Sequence, residues 1–324
     1  MRAARCTTYG GIDAVTVDEL PDPALGPGQA RVAVSAAAIN FPDLLMLEDR
    51  YQVSMPLPFI PGSELAGVVE EVADDVAGFA PGDRVFGAAP VGAFAEQIVV
   101  SAGGLNRMPE NVDFVAAAAF GVAHGTAYHA LRSVAEVAPG EWVVVLGAAG
   151  GVGLATVELA HHLGAKVLAA AAGKDRLAVC EDRGADAIVD YRSEDLKVRI
   201  KELTDGGADV VIDPVGGPYA EPALRAMRRH GRFVTVGFAS GEIPSIPLNL
   251  VLLKGVTIKG FEMLTFMLQE PELLARDRAE LLELFATGQV HPHVSAVFPL
   301  DDVRDALRAV AERRTTGKVV IEIR

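Results

Sequence analysis

The stretch from Trp142 to Lys174 constrains the fold of this chain more than any other. It begins with the apolar run Trp142–Leu146, which is typical of a strand buried on both faces of a parallel sheet. Residues 147–153, which read GAAGGVG, follow directly and lead into a segment with a helical apolar face. Gly164 stands where such a helix needs a left-handed residue to end, and a second apolar run covers Lys166–Ala172. This order predicts a β-α-β unit.

The glycine-rich segment of this unit is typical of a dinucleotide-binding loop. Glycines let backbone N–H groups approach a pyrophosphate, and the helix N-terminus supplies positive potential. The spacing is a variant of the usual G-x-G-x-x-G, and the alternative is a glycine-rich turn without a ligand. Because strand, loop, helix and second strand follow in order, we expect the loop to bind a dinucleotide. Its predicted contacts are Ala149, Gly150, Gly151, Val152 and Gly153.

The end of the second strand indicates which dinucleotide is bound. NAD-binding units place Asp or Glu there, to accept hydrogen bonds from the ribose 2′-hydroxyl. This chain has Ala169–Ala172, then Gly173 and Lys174, so the position lacks a carboxylate and offers a cation to a 2′-phosphate. Such a charge-assisted bond is worth about 1.5–3 kcal/mol. NADPH is the predicted cofactor; the alternatives are a solvated Lys174, or a later strand end that brings Asp175 closer.

Composition argues against several classes of function. The net charge of −14 disfavours binding to nucleic acid or to an anionic membrane surface. The two cysteines, Cys6 and Cys180, cannot form a disulfide framework, which favours a cytoplasmic location. The longest apolar run lies in the β-α-β unit and is too rich in glycine for a membrane span.

Two kinds of segment alternate along the chain. Residues 1–118 contain short β-rich runs separated by prolines, which predicts an irregular β domain. From 119 to 260 strands alternate with helices, which predicts a doubly wound parallel sheet. Residues 261–324 return to the first pattern after a helix near 271–286. We therefore expect an α/β sheet domain inserted into a β-rich domain that residues 261–324 complete, with the ligand site between them.

Short motifs across the whole chain form a specific set through their order and spacing. They are Ala38–Asp43, Tyr51 before Pro56–Phe59, Pro61–Glu64, Gly82–Val85, Thr126–Tyr128, Gly147–Gly153, Asp190–Arg192 and Thr316–Val320. With these motifs the sequence resembles the zinc-free medium-chain dehydrogenases/reductases of the NADPH:quinone oxidoreductase, or zeta-crystallin-like, type. The resemblance implies a GroES-like catalytic domain with an inserted Rossmann domain. It also implies a homodimer, whose candidate edge is the strand near Val256–Lys259.

The resemblance implies catalytic residues as well. It places Asn40, Tyr51 and Thr126 beside the nicotinamide and the electron acceptor, where Asn40 and Thr126 also contact the cofactor. Each has a structural alternative. Asn40 would then cap a turn, Tyr51 would be a half-buried aromatic, and Thr126 would pack within a helix.

Further cofactor contacts follow from the same resemblance. Tyr191 would join Gly173 and Lys174 at the 2′-phosphate, or else pack on the surface. Two loops would contact the cofactor through backbone, and one arginine would reach its adenine end. The residues concerned are Val215, Phe238, Ala239, Ser240 and Arg313.

We expect no metal in this site. Zinc-dependent relatives carry Gly-His-Glu where this chain reads Gly62-Ser63-Glu64, and two distant cysteines cannot supply tetrahedral sulfur ligands. Alcohol oxidation needs an alkoxide to be stabilised, which zinc normally does. An electron-poor quinone or an activated C=C bond accepts a hydride with less help, mainly through orientation against the nicotinamide.

Three functions therefore remain open. The first is NADPH-dependent reduction of a quinone. The second is reduction of an α,β-unsaturated carbonyl or an enoyl thioester, with Tyr51 as proton donor. The third is nucleotide binding with little turnover, as in lens and vesicle members of the family. The segment between Asn40 and Tyr51 lacks a second tyrosine that bacterial quinone reductases of this type often carry, so the acceptor pocket would be more apolar.

Overall fold

The computed structural model describes residues 1–324. None of its helices is long and apolar enough to cross a membrane. The strands are β1 (Arg2–Cys6), β2 (Val15–Glu19), β3 (Gln29–Ile39), β4 (Glu64–Val72), β5 (Arg84–Ala88), β6 (Gln97–Ser101), β7 (Leu105–Arg107), β8 (Trp142–Leu146), β9 (Lys166–Ala171), β10 (Ala187–Asp190), β11 (Ala208–Asp213), β12 (Met227–Thr235), β13 (Thr257–Gly260), β14 (Val294–Pro299) and β15 (Lys318–Glu322). The helices are α1 (Phe41–Leu47), α2 (Phe114–Ala118), α3 (Gly121–His129), α4 (Gly151–His162), α5 (Lys174–Asp182), α6 (Leu196–Leu203), α7 (Ala220–Arg225), α8 (Leu248–Lys254), α9 (Met263–Gln269), α10 (Pro271–Ala286) and α11 (Val303–Ala311).

The chain divides into two compact units. The first unit consists of residues 1–122 and 291–324, and the second unit of residues 123–290. Residues 261–290, which we expected in the β-rich domain, thus belong to the second unit.

Buried polar contacts explain where residues 261–290 pack. Asp277 of α10 is fully buried and accepts hydrogen bonds from His129 Nδ1, at 2.9 Å, and from the Ser133 hydroxyl. The rings of Phe261 and Phe266 contact the imidazole of His129. These contacts fix α9 and α10 to the end of α3, and the sequence pattern alone gave no sign of them.

The first unit is built on a largely antiparallel sheet, in which β14 and β15 alone pair in parallel. Its strand order is β14-β15-β3-β4-β5-β7, and β6 also pairs with β3. The last strand of the chain, β15, lies between β14 and β3, with Val319 opposite Ile39. Buried side chains such as Leu47, Leu65 and Phe94 form the core. Residues from both ends of the chain therefore share one sheet.

The second unit is a doubly wound parallel sheet, as predicted. Its strand order is β10-β9-β8-β11-β12-β13, and every pair of neighbours is parallel. The chain moves outward from β8 to β9 and β10, then returns to continue from β11 on the other side of β8. Open α/β sheets bind ligands outside the carboxyl ends of the strands at such a reversal. The residues that follow β8 and β11 are therefore the first place to look for a site.

Candidate functional site

The glycine-rich segment connects β8 to α4 at this reversal. Gly147 has a φ of +59°, and a Cβ atom added to Gly153 would lie 2.2 Å from the Gly147 carbonyl oxygen. Both positions therefore require glycine. The first N–H groups of α4 have no intrahelical acceptor, as at the start of any helix, and the N-cap residue Gly150 supplies no side-chain acceptor either. A pyrophosphate would satisfy these donors, and the predicted contacts at residues 149–153 fit such a group.

Lys174 begins α5 directly after β9. Gly173, with a φ of +95°, makes the turn between them. The Lys174 side chain is exposed and takes part in no ion pair. Asp175 is exposed in the first turn of α5. The ammonium of Lys174 is therefore available to a phosphate at the end of β9.

Asp190 was not among the predicted site residues. It ends β10 and lies opposite Ala171 of β9. Hydrogen bonds from the backbone N–H groups of Arg192, at 3.0 Å, and of Gly173 hold the pKa of its carboxyl below the usual range. The turn that carries Lys174 is thus fixed by a carboxylate. The sequence contains Asp190 within a recognised motif, but only the strand register reveals that it reaches Gly173.

Tyr191 packs closely within the second unit. Its ring stacks on that of Tyr219, with centroids 4.0 Å apart and planes at 28°. Both rings pack against the apolar cluster that contains Leu196 and Ile200. This contact matches the packing alternative, and a role of Tyr191 at a 2′-phosphate stays a prediction.

The predicted cofactor loops after β11 and β12 are joined to each other. Three backbone hydrogen bonds link them: Ala239 N donates to Pro214 O at 3.1 Å, Ser240 N to Val215 O at 2.9 Å, and Gly217 N to Glu242 O at 3.0 Å. The Val215 side chain also packs on Gly147, because a Cβ atom there would lie 2.4 Å from Val215 Cγ2. The structure therefore brings the loops after β8, β11 and β12 together at the carboxyl ends of these strands.

Asn40 belongs to a buried polar cluster in the first unit. The Lys318 ammonium donates to the Asn40 side-chain oxygen, to Glu64 Oε2 at 3.0 Å and to Ile39 O at 3.2 Å. Asn40 Nδ2 also donates to Glu64 Oε2, at 3.1 Å. Because an ammonium cannot accept a hydrogen bond, the amide oxygen of Asn40 must face Lys318. One N–H of the Asn40 amide is left to donate.

Two carboxyl groups complete this cluster. Glu64 Oε1 accepts a hydrogen bond from Val122 N, at 2.7 Å, in the first turn of α3. Asp43 accepts from Asn40 N at 2.7 Å, which places Asn40 at the N-terminus of α1. Burial raises the pKa of Asp43 to about 6, against the opposing effects of the Asn40 N–H, the Ser63 hydroxyl and Lys318. Glu64, Asp43 and Lys318 were not predicted as site residues.

The other predicted residues are distributed over both units. Tyr51 is half-buried against the core of the first unit, and Thr126 is half-buried in α3. Arg313 is exposed after α11 and has a φ of +53°. No group of three or more His, Cys, Asp or Glu side chains is arranged as metal ligands in residues 1–324.

Comparison with known proteins identifies the family. Residues 26–110 match the alcohol dehydrogenase GroES-like domain, and residues 151–284 match the zinc-binding dehydrogenase domain. The chain is 40% identical to the quinone oxidoreductase-like protein 2 homolog of Nematostella vectensis, over 99% of this chain and 88% of that protein. This chain belongs to the zinc-free, quinone oxidoreductase-like medium-chain dehydrogenases/reductases. The GroES-like and Rossmann folds predicted from the sequence are thereby confirmed.

Other members of this oxidoreductase family are similar over the whole chain. The quinone oxidoreductase of Thermus thermophilus, whose complex with NADPH has been solved, has a TM-score of 0.89 and 34% identity, and each chain covers 100% of the other. The human synaptic vesicle membrane protein VAT-1 homolog is 31% identical, over 99% of this chain and 86% of that protein. The similar proteins thus differ in their described roles.

The buried pair of Lys318 and Glu64 makes a prediction about stability. Their side chains are 4% and 2% exposed, so Lys318→Met leaves an uncompensated carboxylate in the interior. We expect the free energy of unfolding to fall by about 3–5 kcal/mol, measured by chemical denaturation. Adding Glu64→Gln should restore much of this loss.

A surface pair provides the control. Arg50 and Glu48 form an ion pair with side chains 61% and 46% exposed, so Arg50→Met should cost less than about 1 kcal/mol. Equal losses in the Lys318 and Arg50 variants would contradict the importance assigned to the buried pair.

Proposed function

We propose that the protein reduces quinones with NADPH and without a metal. The observation that carries the cofactor assignment is the pairing of an uncapped α4 N-terminus with the free ammonium of Lys174. These groups suit a pyrophosphate and a 2′-phosphate respectively. The quinone oxidoreductase-like relative and the T. thermophilus quinone oxidoreductase, which has been solved with NADPH, support the acceptor class. Bound NADPH supplies a hydride, and the reduced acceptor takes up a proton.

Asn40 is the residue best placed to donate a hydrogen bond to the quinone. Lys318 donates to the Asn40 side-chain oxygen, and Glu64 accepts from one N–H of the Asn40 amide, which leaves the second N–H to donate. A fixed donor stabilises a carbonyl oxygen that becomes more negative as hydride arrives. We therefore assign Asn40 as the donor to the acceptor's oxygen, with Tyr51 and Thr126 as further contacts.

The alternative is reduction of a C=C bond conjugated to a carbonyl. It is favoured by α1, where Leu44 and Met46 are buried and the segment from Asn40 to Tyr51 lacks a second tyrosine. Such a reaction needs a proton at carbon after hydride transfer, and Tyr51 would provide it. Binding with little turnover is the third possibility, and relatives described as vesicle proteins support it.

The Lys174 assignment predicts the cofactor preference. We expect the protein to prefer NADPH to NADH, and Lys174→Ala to raise the dissociation constant for NADPH by about tenfold. The constant for NADH should stay nearly unchanged. Fluorescence titration with both cofactors measures this.

Lys166 offers a matched control, because it begins β9, whereas Lys174 follows the end of that strand. Its ammonium lies over the Trp142 ring, 5.5 Å from the centroid. Lys166→Ala should therefore leave NADPH affinity unchanged. Equal affinity of the unmutated protein for NADPH and NADH would refute the preference.

Tyr51→Phe separates the two enzymatic functions. If quinones are the acceptors, the variant should lose little kcat, because an electron-poor ring accepts hydride without an obligatory acid. If enones are the acceptors, loss of a proton donor should lower kcat by about 10²- to 10⁴-fold. Steady-state rates with a quinone and an enone panel measure this, and we expect the small effect. A hundredfold-scale loss on enones alone would favour the alternative.

We further propose that the protein is a homodimer joined through β13. This strand is the edge of the parallel sheet, and its Ile258 side chain is 41% exposed. The preceding helix α8 exposes Leu248, Leu252 and Leu253, each by more than 70%. Unpaired strand edges pair readily with a second copy, and exposed apolar groups of this size favour burial.

The dimer proposal predicts a mass of twice 34.0 kDa by light scattering. Ile258→Glu should give a monomer, because like charges would face each other across the paired edges. Val297→Glu is the matched control, since Val297 is 47% exposed on β14, an edge strand of the sheet in the first unit. A monomeric unmutated protein at micromolar concentration would rule out the dimer.

A further inference from the structure

Asp213 occupies a special place in the second unit. It is the last residue of β11, the strand that neighbours β8 at the reversal of the sheet. Its side chain is fully buried, with 0% exposure. Asp213 was not among the predicted site residues, although Val215 after β11 and Phe238–Ser240 after β12 were predicted to contact the cofactor.

This residue holds both of those loops. Its side-chain Oδ1 accepts hydrogen bonds from Val215 N and Gly216 N, each at 2.8 Å. Its backbone oxygen accepts from Val236 N at 2.8 Å and from Gly237 N at 3.3 Å. One residue therefore fixes where the chain leaves β11 and where it leaves β12.

The held loop has little room to adopt another shape. Gly216 and Gly217 have φ values of +66° and +62°. A Cβ atom on Gly216 would lie 2.8 Å from Phe238 Cδ1. Without Oδ1, two backbone N–H groups in this tight turn would lose their acceptor, and such a loss costs more than an ordinary hydrogen bond is worth.

The other carboxyl oxygen of Asp213, Oδ2, does not hold either loop. Oδ2 is buried and makes no hydrogen bond. Burial raises the pKa of Asp213, although the N–H groups of Gly216 and Val215 oppose this. A buried carboxylate with one unpartnered oxygen is costly, so a neutral group at this position is favoured.

The strand order assigns the held loops to one half of a dinucleotide. Lys174 follows β9 on one side of β8, whereas the Asp213 loops follow β11 and β12 on the other side. A dinucleotide lies across the reversal with its halves on opposite sides. If Lys174 binds the 2′-phosphate of the adenosine half, the Asp213 loops serve the nicotinamide half.

We propose that Asp213 is a positioning residue for the nicotinamide half of the cofactor, and that it acts through one acceptor oxygen rather than through a negative charge. This inference rests on the proposed function, because it requires a dinucleotide at the sheet reversal. It predicts that asparagine can replace Asp213, since its amide oxygen can accept the same two N–H bonds.

Two ligands and three variants test this inference. NADPH reports on both halves of the site, and 2′,5′-ADP reports on the adenosine half alone. Asp213→Ala should weaken NADPH binding by about tenfold, from the loss of two hydrogen bonds, and leave 2′,5′-ADP binding unchanged. Asp213→Asn should bind both ligands as the unmutated protein does. Fluorescence titration or calorimetry measures the affinities.

Asp209→Ala is the matched control at the opposite end of β11. Asp209 accepts a hydrogen bond from Trp142 N and pairs with Arg228, so its loss should lower stability without changing the ratio of the two affinities. The inference is overturned if Asp213→Ala binds NADPH normally, if it weakens both ligands equally, or if Asp213→Asn loses NADPH affinity. The NADPH affinity of Asp213→Asn tests the inference even if Asp213→Ala fails to fold.

These results also separate this inference from the proposed function. If the unmutated protein binds neither NADPH nor 2′,5′-ADP, the proposed function fails. If it binds both and the Asp213 variants behave otherwise than expected, only the role of Asp213 fails.

Discussion

The burial of the Glu64 carboxylate determines much of the arrangement of the first unit. Bringing an ion into a protein interior costs several kcal/mol unless hydrogen bonds and an opposite charge compensate it. Lys318, Asn40 and Val122 supply that compensation from three other segments. All three donate hydrogen bonds to this one carboxylate. The same contacts fix the orientation of the Asn40 amide. The orientation of Asn40, which is predicted to contact the electron acceptor, therefore depends on its hydrogen bonds to the buried Glu64 and Lys318.

The second unit positions its loops in a different way. Its loops after β11 and β12 are held by backbone hydrogen bonds, by Oδ1 and the backbone oxygen of Asp213, and by close packing between Val215 and Gly147. No ion pair takes part in these contacts. Rigid donors and tight glycine turns reduce the reorganisation that binding requires. Preorganisation of this kind is what a hydride donor and acceptor need, because the reaction depends on orientation.

Sequence patterns predicted those features that depend on neighbouring residues. The β8–α4–β9 unit was predictable because its apolar runs and glycines follow one another directly. Lys174 could be placed because it comes next after β9. In contrast, Asp190 acts through its register with β9, Lys318 through a partner 254 positions away, and Asp277 through α3. Such pairings leave no local periodicity, which is also why residues 261–290 were assigned to the β domain.

The position of β15 between β14 and β3 has a consequence for synthesis on the ribosome. Strand β3 and the carboxylate of Glu64 emerge early, but Lys318 follows Glu64 by 254 positions. At ordinary translation rates this interval is about 13–50 s. Residues 123–290 are complete before it ends, so the inserted unit can fold while the surrounding one waits. During that interval Ala36–Ile39 of β3 lack the partner strand β15, whereas β6 already pairs with Gln29–Ala33. The nascent chain is then most exposed to wrong pairing and to chaperones.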